Sequence, residues 1–228
     1  MKILLGLLAL AGAAWAAGDE VRIAIIGDST VCNYPSNSVI RGWGEFIQPY
    51  FKEQVRIINL ARSGRSTKTF IKEGLWKKTL AEKPHYILIQ FGHNDSHGQG
   101  RPEATEAGGD YKDNLRRYIA EACAAGAKPI LITPMHRRVF KDGVLSTELK
   151  PYAEAMTQIA AEQKVPLVDL YAMSGELFQK AGDAGSVDLS CKPEDRTHFS
   201  AKGAKAMADF VMKGLLPSVP ELKALLKN

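Results

Sequence analysis

Several features that define other classes of protein are scarce or missing in this chain of 228 residues. It has no long basic run and no basic patch interleaved with aromatic residues, although its formal net charge is +5. Nucleic acid is therefore not an expected partner. It also lacks internal repeats, linkers and low-complexity segments. Because 45% of its residues are hydrophobic, the composition excludes a disordered protein and fits one folded domain with a substantial core.

Cysteine is rare, with only Cys32, Cys123 and Cys191. An odd number leaves at least one thiol unpaired. Cys123 lies in a helical pattern, where we expect a small buried apolar residue. Cys32 and Cys191 each lie close to a motif described below. If those motifs converge in the fold, the two thiols come near each other, and the sequence leaves open whether they form a disulfide.

Long apolar runs are confined to the N-terminus, which has the pattern of a secretory signal peptide. Lys2 gives a positive start, ILLGLLALAGAAWA is short and apolar, and Ala14 and Ala16 fit the small-x-small cleavage rule. An uncleaved anchor is the alternative, but the run is short for a membrane span. We expect residues 1–16 to be removed. The mature domain, residues 17–228, would then be secreted or periplasmic, without a membrane anchor.

Apolar runs and helical patterns alternate along the rest of the chain. Five short runs are nearly continuous in apolar residues, as strands covered on both faces require: residues 21–26, 55–60, 85–91, 128–133 and 165–170. The helical patterns between them span residues 42–53, 67–80, 110–126 and 147–163. A last helix begins near Ser200, with one apolar stripe: Ala204, Met207, Val211 and Leu215. This order predicts an α/β fold with a five-stranded parallel sheet between two layers of helices.

Polar residues concentrate in the segments that follow the strands: GDSTVCNY, ARSGRST, GHNDSHGQG and PMHRRVF. In a parallel sheet these segments gather at one edge, where such folds bind ligands. The separation of an apolar core from a polar edge predicts a functional site at that edge.

Ser29 is the candidate nucleophile at this edge. A serine hydroxyl needs an adjacent base, and His198 has Asp195 three residues before it to orient its ring. The charge that develops on an attacked carbonyl oxygen needs N–H donors, for which the Ser29 and Gly64 backbones and the Asn94 amide are candidates. Each motif alone is weak evidence, because Gly64 also suits a plain turn and Asn94 an ordinary polar loop.

In their order along the chain, GDS at 27–29, the glycine of GRST at 64, GxND at 92–95 and DxxH at 195–198 resemble the SGNH (GDSL-type) hydrolases. The G-x-S-x-G motif of the α/β-hydrolases is absent, which disfavours that fold. More narrowly, six segments are similar to the rhamnogalacturonan acetylesterases: GDSTVCNY, GWGEF, ARSGRSTKTFI, QFGHND, HRRVF and DRTHFSAKGA.

The resemblance implies a flavodoxin-like three-layer α/β/α fold and the removal of O-acetyl groups from pectin without a cofactor. It implies that Ser29 is the nucleophile, His198 the base and Asp195 its partner, with an oxyanion hole of Ser29, Gly64 and Asn94. Other esterases of the family remain alternatives, namely a xylan acetylesterase, a lipase or a thioesterase. So do transfer of the acetyl group to another alcohol and a non-catalytic carbohydrate-binding protein on the same fold.

Four residues near the motifs are candidates for substrate contacts: His93, Arg137, Arg138 and Trp43. His93 and His97 are four residues apart, but they lie in a loop, so no metal is expected and His93 more readily shapes the oxyanion loop. Arg137 and Arg138 either hold a substrate carboxylate or form a solvated pair. Trp43 either stacks on a sugar or packs in the core. The expected partner is an acetylated polysaccharide or oligosaccharide, bound by a monomer.

Overall fold

A computed structural model describes residues 19–98 and 100–227. The predicted signal peptide, residues 1–16, lies outside the described residues. The strands are β1 (Val21–Gly27), β2 (Val55–Asn59), β3 (Tyr86–Gln90), β4 (Lys128–Ile132), β5 (Phe140–Lys141), β6 (Val144–Leu145) and β7 (Leu167–Val168). Five of them form a parallel sheet in the order β2-β1-β3-β4-β7, while β5 and β6 form a separate hairpin. This is the flavodoxin-like strand order.

The helices are α1 (Thr67–Lys72), α2 (Leu75–Ala81), α3 (Asp110–Ala124), α4 (Lys150–Gln163), α5 (Leu170–Ser186) and α6 (Ala201–Ser218). Short 3-10 helices cover Trp43–Phe46, Gln48–Tyr50, Val187–Leu189 and Pro220–Leu225. In the described part of the chain, none of the helices combines the length and apolar composition needed to cross a bilayer.

Both faces of the sheet are buried, because successive side chains of a strand point to opposite sides. On β1, Ile23 and Ile25 pack in a core with α5 and α6, whereas Ala24 and Ile26 pack in a second core with α1 to α4. All four side chains are fully buried. The result is a three-layer α/β/α arrangement, which confirms the predicted fold class.

The last helix follows its prediction closely. The Ser200 hydroxyl accepts a hydrogen bond from the Gly203 N–H and caps α6. The predicted apolar stripe faces the sheet and is fully buried: Ala204, Met207, Val211 and Leu215. Each large apolar side chain buried in this way contributes about 1.5–3 kcal/mol. This packing fixes the helix that directly follows the DxxH segment.

Two predicted helices are wrong in detail. Residues 42–53 contain two short 3-10 helices, Trp43–Phe46 and Gln48–Tyr50, instead of an α-helix. Gly42 packs so tightly that a Cβ there would lie 2.4 Å from the Val31 carbonyl carbon, and Pro49 removes a backbone donor. The pattern over residues 67–80 is divided into α1 and α2, because Gly74 adopts a left-handed φ of 73° between them.

The helix α5 was not predicted, and the preceding strand β7 is shorter than the predicted 165–170. Glycines at 175, 182 and 185 weaken the helical pattern. Gly175 is required by packing, since a Cβ there would lie 2.9 Å from His136 Nε2. The Asp169 carboxylate caps the helix, and buried Leu170 and Phe178 hold it on the sheet. Tertiary contacts therefore outweigh the poor local propensity around Gly175, whereas Gly182, with φ 69° and ψ 179°, kinks the helix.

The cysteines are all free thiols, so the disulfide left open by the sequence is not formed. The Cys191 thiol instead donates to Asp195 Oδ2 at 3.4 Å, and Cys32 is buried. Cys123 was expected to be buried and is not. It is exposed on α3, where the neighbouring Ala122 faces the core.

Candidate active site

The turn after β1 presents Ser29 at the carboxyl edge of the sheet. Asp28 Oδ1 accepts hydrogen bonds from the Thr30 backbone N–H at 2.9 Å and from the Thr30 hydroxyl at 2.8 Å. The Tyr34 hydroxyl donates to the Ser29 carbonyl oxygen at 2.8 Å. These short-range bonds fix the backbone on both sides of the serine.

A chain of buried hydrogen bonds supports this turn from below. Trp43 Nε1 donates to Gln90 Oε1 at 2.7 Å, and Gln90 Nε2 donates to the Thr30 hydroxyl at 3.1 Å. The Thr30 hydroxyl in turn donates to the Asp28 carboxylate, which is the last member of this series of hydrogen bonds. All four side chains are fully buried. The interpretation of Trp43 as a possible sugar platform is therefore wrong. Its ring packs in the core and supports the Ser29 turn.

Ser29, His198 and Asp195 converge as the resemblance implies. His198 Nε2 lies 3.0 Å from Ser29 Oγ, and His198 Nδ1 lies 2.9 Å from Asp195 Oδ2. Both distances are in the range of hydrogen bonds. A histidine in this position can take the serine proton with one ring nitrogen while the carboxylate fixes the other.

The Asp195 carboxylate is held in its ionised form. The backbone N–H groups of Thr197 and His198 donate to its Oδ1 at 2.8 and 2.7 Å. Partial burial raises the pKa of Asp195, but these donors and the His198 ring outweigh burial and lower the pKa to about 2. A negative charge therefore stays beside the imidazole throughout the neutral pH range.

The three candidate oxyanion donors are available. In the described part of the chain, the backbone N–H groups of Ser29 and Gly64 donate to no acceptor. Asn94 Nδ2 uses one hydrogen on the Arg65 carbonyl oxygen, 3.0 Å away, and keeps its second. Gly64 has a φ of 77°, and a Cβ there would meet no protein atom within 4 Å. Its left-handed backbone, rather than a close protein neighbour, calls for glycine.

Asp95, which the sequence analysis did not single out, joins two of these segments. Its Oδ1 accepts from the Thr67 backbone N–H at 3.1 Å, the Thr67 hydroxyl at 2.5 Å and the Thr105 hydroxyl at 3.0 Å. Thr67 follows the Gly64 loop, and Asp95 adjoins Asn94. Complete burial raises the pKa of Asp95 to about 7 in spite of these hydrogen bonds. Its place in GxND was visible in the sequence, but its inward direction was not.

His93 lies beneath the site and not in contact with solvent. It is 2% exposed, and its Nδ1 is 3.5 Å from Asp28 Oδ2. Burial lowers the pKa of His93, against the opposing effect of the Asp28 carboxylate. The His93 carbonyl oxygen accepts from Arg137 Nη2 at 2.9 Å. The position fits the interpretation that His93 shapes the oxyanion loop and leaves its ring no direct contact with a bound polymer.

Arg138 is wrongly predicted as a substrate contact, because it is fully buried. Its Nη2 donates to the His198 carbonyl oxygen at 2.6 Å and its Nε to Ser190 Oγ at 3.1 Å. The guanidinium carbon lies 4.2 Å from the centre of the Phe199 ring. Burial lowers the pKa of Arg138 to about 10, so it remains charged at neutral pH. It holds the segment that carries His198.

Arg137 is neither a free carboxylate ligand nor half of a solvated pair. Its Nη1 donates to Thr197 Oγ1 at 2.6 Å, its Nη2 reaches the His93 carbonyl, and its Nε pairs with Glu148. It thereby joins three loops. Arg137 also borders a cavity of about 410 Å³, the Arg137 cavity, whose other lining residues are Ser96, His97, Gly98, Arg101 and Glu148.

The two histidines of HNDSH do not share a ligand position. His97 Nδ1 lies 2.7 Å from Glu103 Oε1, whereas His93 faces Asp28. Within residues 19–98 and 100–227, no group of three or more His, Cys, Asp or Glu side chains is arranged to hold a metal ion.

The convergence of Ser29, His198 and Asp195 at the edge of a parallel sheet is typical of serine hydrolases, and the comparison with known proteins identifies the class of this protein. Residues 23–211 match the GDSL-like lipase/acylhydrolase family, and the chain belongs to that family. It is a carboxylic-ester hydrolase.

Within this family the chain is similar to two proteins of Bacillus subtilis (strain 168). It is 39% identical over 199 residues to the one named Probable rhamnogalacturonan acetylesterase YesY, a match that covers 85% of this chain and 91% of YesY. It is 34% identical over 212 residues to Rhamnogalacturonan acetylesterase RhgT, covering 86% of this chain and 89% of RhgT. The resemblance recognised in the sequence is confirmed.

Solved structures share the fold. The crystal structure of YxiM from Bacillus subtilis matches with a TM-score of 0.76 at 28% identity, over 87% of this chain and 56% of that chain. This chain thus spans about half the length of that protein. A catalytic mutant of Axe2, an acetylxylan esterase from Geobacillus stearothermophilus, matches with a TM-score of 0.67 at 22% identity, over 87% of this chain and 95% of that one. That match shows the common fold alone.

Proposed function

We propose that this protein removes O-acetyl groups from a plant cell-wall polysaccharide, rhamnogalacturonan, through an acyl-enzyme on Ser29. The main support is the 3.0 Å distance between Ser29 Oγ and His198 Nε2. On the other side of the imidazole ring, Asp195 Oδ2 lies 2.9 Å from His198 Nδ1. The names of YesY and RhgT support the acetyl group and the polymer.

In the first half of the reaction, His198 Nε2 takes the proton of the Ser29 hydroxyl as Oγ attacks the acetyl carbonyl carbon. The carbonyl oxygen becomes negative and accepts hydrogen bonds from the Ser29 and Gly64 backbone N–H groups and from Asn94 Nδ2. The Asp195 carboxylate stabilises the imidazolium that forms. His198 then gives this proton to the sugar oxygen, and the bond between the acetyl carbon and that oxygen breaks.

The second half of the reaction releases acetate. A water molecule gives a proton to His198 and attacks the acetyl carbon on Ser29. The same oxyanion donors stabilise the second tetrahedral intermediate. When it collapses, the proton passes from His198 to Ser29 Oγ, the product leaves as acetic acid and ionises to acetate in solution, and the free serine is restored.

The surroundings of the serine favour a sugar over a long acyl chain. The Arg137 cavity is lined by polar and charged side chains. The large hydrophobic residues that are exposed in the described part of the chain are three valines: Val39, Val139 and Val144. A lipase would instead present a continuous apolar patch to its substrate.

We also propose that the protein acts as a secreted or periplasmic monomer without residues 1–16. The N-terminal signal pattern, Lys2 followed by a short apolar run that ends at Ala14-Trp15-Ala16, supports export and cleavage. Sequencing of the exported protein should begin at Ala17, and light scattering should give the mass of one chain. Retention of Lys2 in the exported protein would contradict the cleavage.

The activity is tested by offering the purified protein acetylated rhamnogalacturonan, acetylated xylan and p-nitrophenyl esters of increasing chain length, with free acetate measured directly. We expect acetate release with the highest kcat/KM on rhamnogalacturonan. A higher kcat/KM on acetylated xylan would show that xylan, and not rhamnogalacturonan, is the substrate polymer. Preference for long acyl chains would overturn the carbohydrate assignment. Loss of acetyl groups from the donor without free acetate would indicate transfer to another alcohol.

A further inference from the structure

Two cavities are lined by segments from strands on either side of β1, the strand that precedes Ser29. The Arg137 cavity is formed by segments that follow β3 and β4. A second cavity of about 340 Å³, the Arg62 cavity, is lined by residues around β2 and α2: Asn33, Asn59, Leu60, Ala61, Arg62, Leu75 and Lys78. The sheet order places β1, and therefore Ser29, between β2 and β3. A linear polymer that crosses this edge at Ser29 extends toward both cavities.

The Arg62 cavity holds two cations without counter-ions. Arg62 and Lys78 are exposed, and neither side chain makes a hydrogen bond or an ion pair with another described residue. The lining contains no aspartate or glutamate. The Arg62 backbone is fixed, since its N–H donates to the Gly27 carbonyl at 2.9 Å. The guanidinium is therefore placed at the end of the first two strands, close to the segment that carries Ser29.

An amide adds a neutral donor to the same wall. Asn59 Nδ2 donates to the Val31 carbonyl at 2.9 Å and to Asn33 Oδ1 at 2.7 Å, and Asn59 Oδ1 accepts from the Ala61 N–H at 3.2 Å. This arrangement orients the Asn33 amide and leaves its Nδ2 hydrogens without a partner among the described residues. The lining of the Arg62 cavity thus has hydrogen-bond donors on Arg62, Lys78 and Asn33 that are unpaired within residues 19–98 and 100–227.

The Arg137 cavity differs in its charge. Arg137 is paired with Glu148, and Arg101 Nη1 lies 3.8 Å from Glu103 Oε1, which also contacts His97. Its cations are balanced by carboxylates. An anionic group on a bound polymer is consequently attracted to the Arg62 cavity and not to the Arg137 cavity.

We infer that the Arg62 cavity is a subsite for the carboxylate of a uronic acid residue, in the same polysaccharide whose acetyl group reaches Ser29. The inference rests on the proposed function for the identity of the polymer. The Arg62 guanidinium suits a bidentate contact with a carboxylate, Lys78 supplies a point charge, and Asn33 donates to a neighbouring oxygen. Because the subsite recognises the free anion, hydrolysis of any methyl ester on that uronate is the class of reaction that must supply the substrate.

The direct test measures binding by calorimetry, with the full chain and an unacetylated oligosaccharide of alternating galacturonate and rhamnose. The double variant R62Q/K78Q should bind it about tenfold more weakly, the size expected for losing hydrogen bonds to a charged group. The control R56Q/K77Q removes the same charge from exposed residues outside the cavity and should bind within about twofold of the unaltered protein. Equal losses in the two double variants, or no loss in R62Q/K78Q, overturn the subsite.

A second ligand tests the anion itself. The same oligosaccharide with its carboxylates methyl-esterified should bind the unaltered protein as weakly as R62Q/K78Q binds the acid form. Equal affinity of the acid and ester forms for the unaltered protein overturns the inference. Both binding assays remain decisive if the protein releases no acetate from rhamnogalacturonan, so failure of the proposed function is distinguished from failure of the subsite. If acetate is released, R62Q/K78Q should raise KM about tenfold with kcat retained.

Discussion

The buried guanidinium of Arg138 donates a 2.6 Å hydrogen bond to the backbone carbonyl of His198. It also lies 3.4 Å from the Asp195 carbonyl oxygen. One buried cation thus holds both ends of the DxxH segment. We expect the distance between His198 and Ser29 to depend on this contact, although Arg138 has no exposed surface on which to meet a substrate.

Replacing Arg138 with methionine, R138M, keeps an apolar stem but removes every donor. We expect a loss of about 3 kcal/mol in the free energy of unfolding, because the His198 carbonyl and the Ser190 hydroxyl lose charged partners. kcat should fall because the base, His198, is displaced from Ser29. KM should change little because Arg138 is buried and the surface that binds the substrate is unaltered. Urea unfolding and steady-state kinetics measure the two effects. Unchanged stability together with unchanged kcat would show that Arg138 does not hold this segment.

Removing the Asn94 amide, N94A, tests the oxyanion assignment. The loss of one donor should lower kcat by about 100- to 1000-fold with KM nearly unchanged, because the developing charge exists only in the transition state. Ser96→Ala is the matched control, since it also removes one side-chain hydrogen bond to a backbone carbonyl in this loop. The control should retain kcat. A similar fall in both variants would point to loop collapse and not to a lost oxyanion donor.

The Asp195 charge is tested by D195N, which preserves the size of the side chain. We expect kcat to fall by about 10⁴-fold, because the amide favours the wrong tautomer of His198 and cannot stabilise the imidazolium. Because the pKa of Asp195 is lowered to about 2, its contribution to stability is present above its ordinary pKa and is lost as pH falls toward 2. Between pH 5 and pH 2, the free energy of unfolding should therefore decrease less in D195N than in the unaltered protein. Retention of kcat in D195N would exclude Asp195 from the reaction.

The contribution of Asp95 to stability depends on pH in the opposite direction from that of Asp195. Since burial raises its pKa to about 7, the fold favours the protonated carboxyl. Its contribution to stability is complete below its ordinary pKa and is lost as pH rises toward 7. In D95N the amide oxygen can still accept from Thr67 and Thr105, but it does not ionise. Thermal unfolding between pH 4 and 8 should show D95N gaining stability relative to the unaltered protein as pH rises, and a constant difference would contradict this assignment.

The sequence predicted the sheet well because each buried strand is a local apolar run, and the flavodoxin-like order followed from the family resemblance. The site motifs were equally local, since each catalytic candidate lies in a short polar segment after a strand or before α6. What the sequence could not predict depends on long-range packing. Arg137 and Arg138 are adjacent and chemically identical, yet only the fold shows that the first joins three loops near the site and the second is fully buried.

The same limit explains the other differences. Trp43 was ambiguous because its partner Gln90 is 47 residues away. The segment of α5 around Gly175 is helical because it packs on the sheet and on His136, whereas Gly182 has non-helical dihedral angles and kinks the helix. Asp95 follows Asn94 directly, and no local pattern tells which of two neighbouring polar side chains turns toward the core.

The central claim is that Ser29 carries the acetyl group during the reaction. Mixing the protein with p-nitrophenyl acetate, quenching rapidly in acid and analysing the peptides by mass spectrometry tests it most directly. We predict a mass increase of one acetyl group on the Ser29 hydroxyl and an initial burst of p-nitrophenol of about one equivalent per chain, both absent in S29A. An acetyl group on another residue, or undiminished turnover in S29A, would contradict the account.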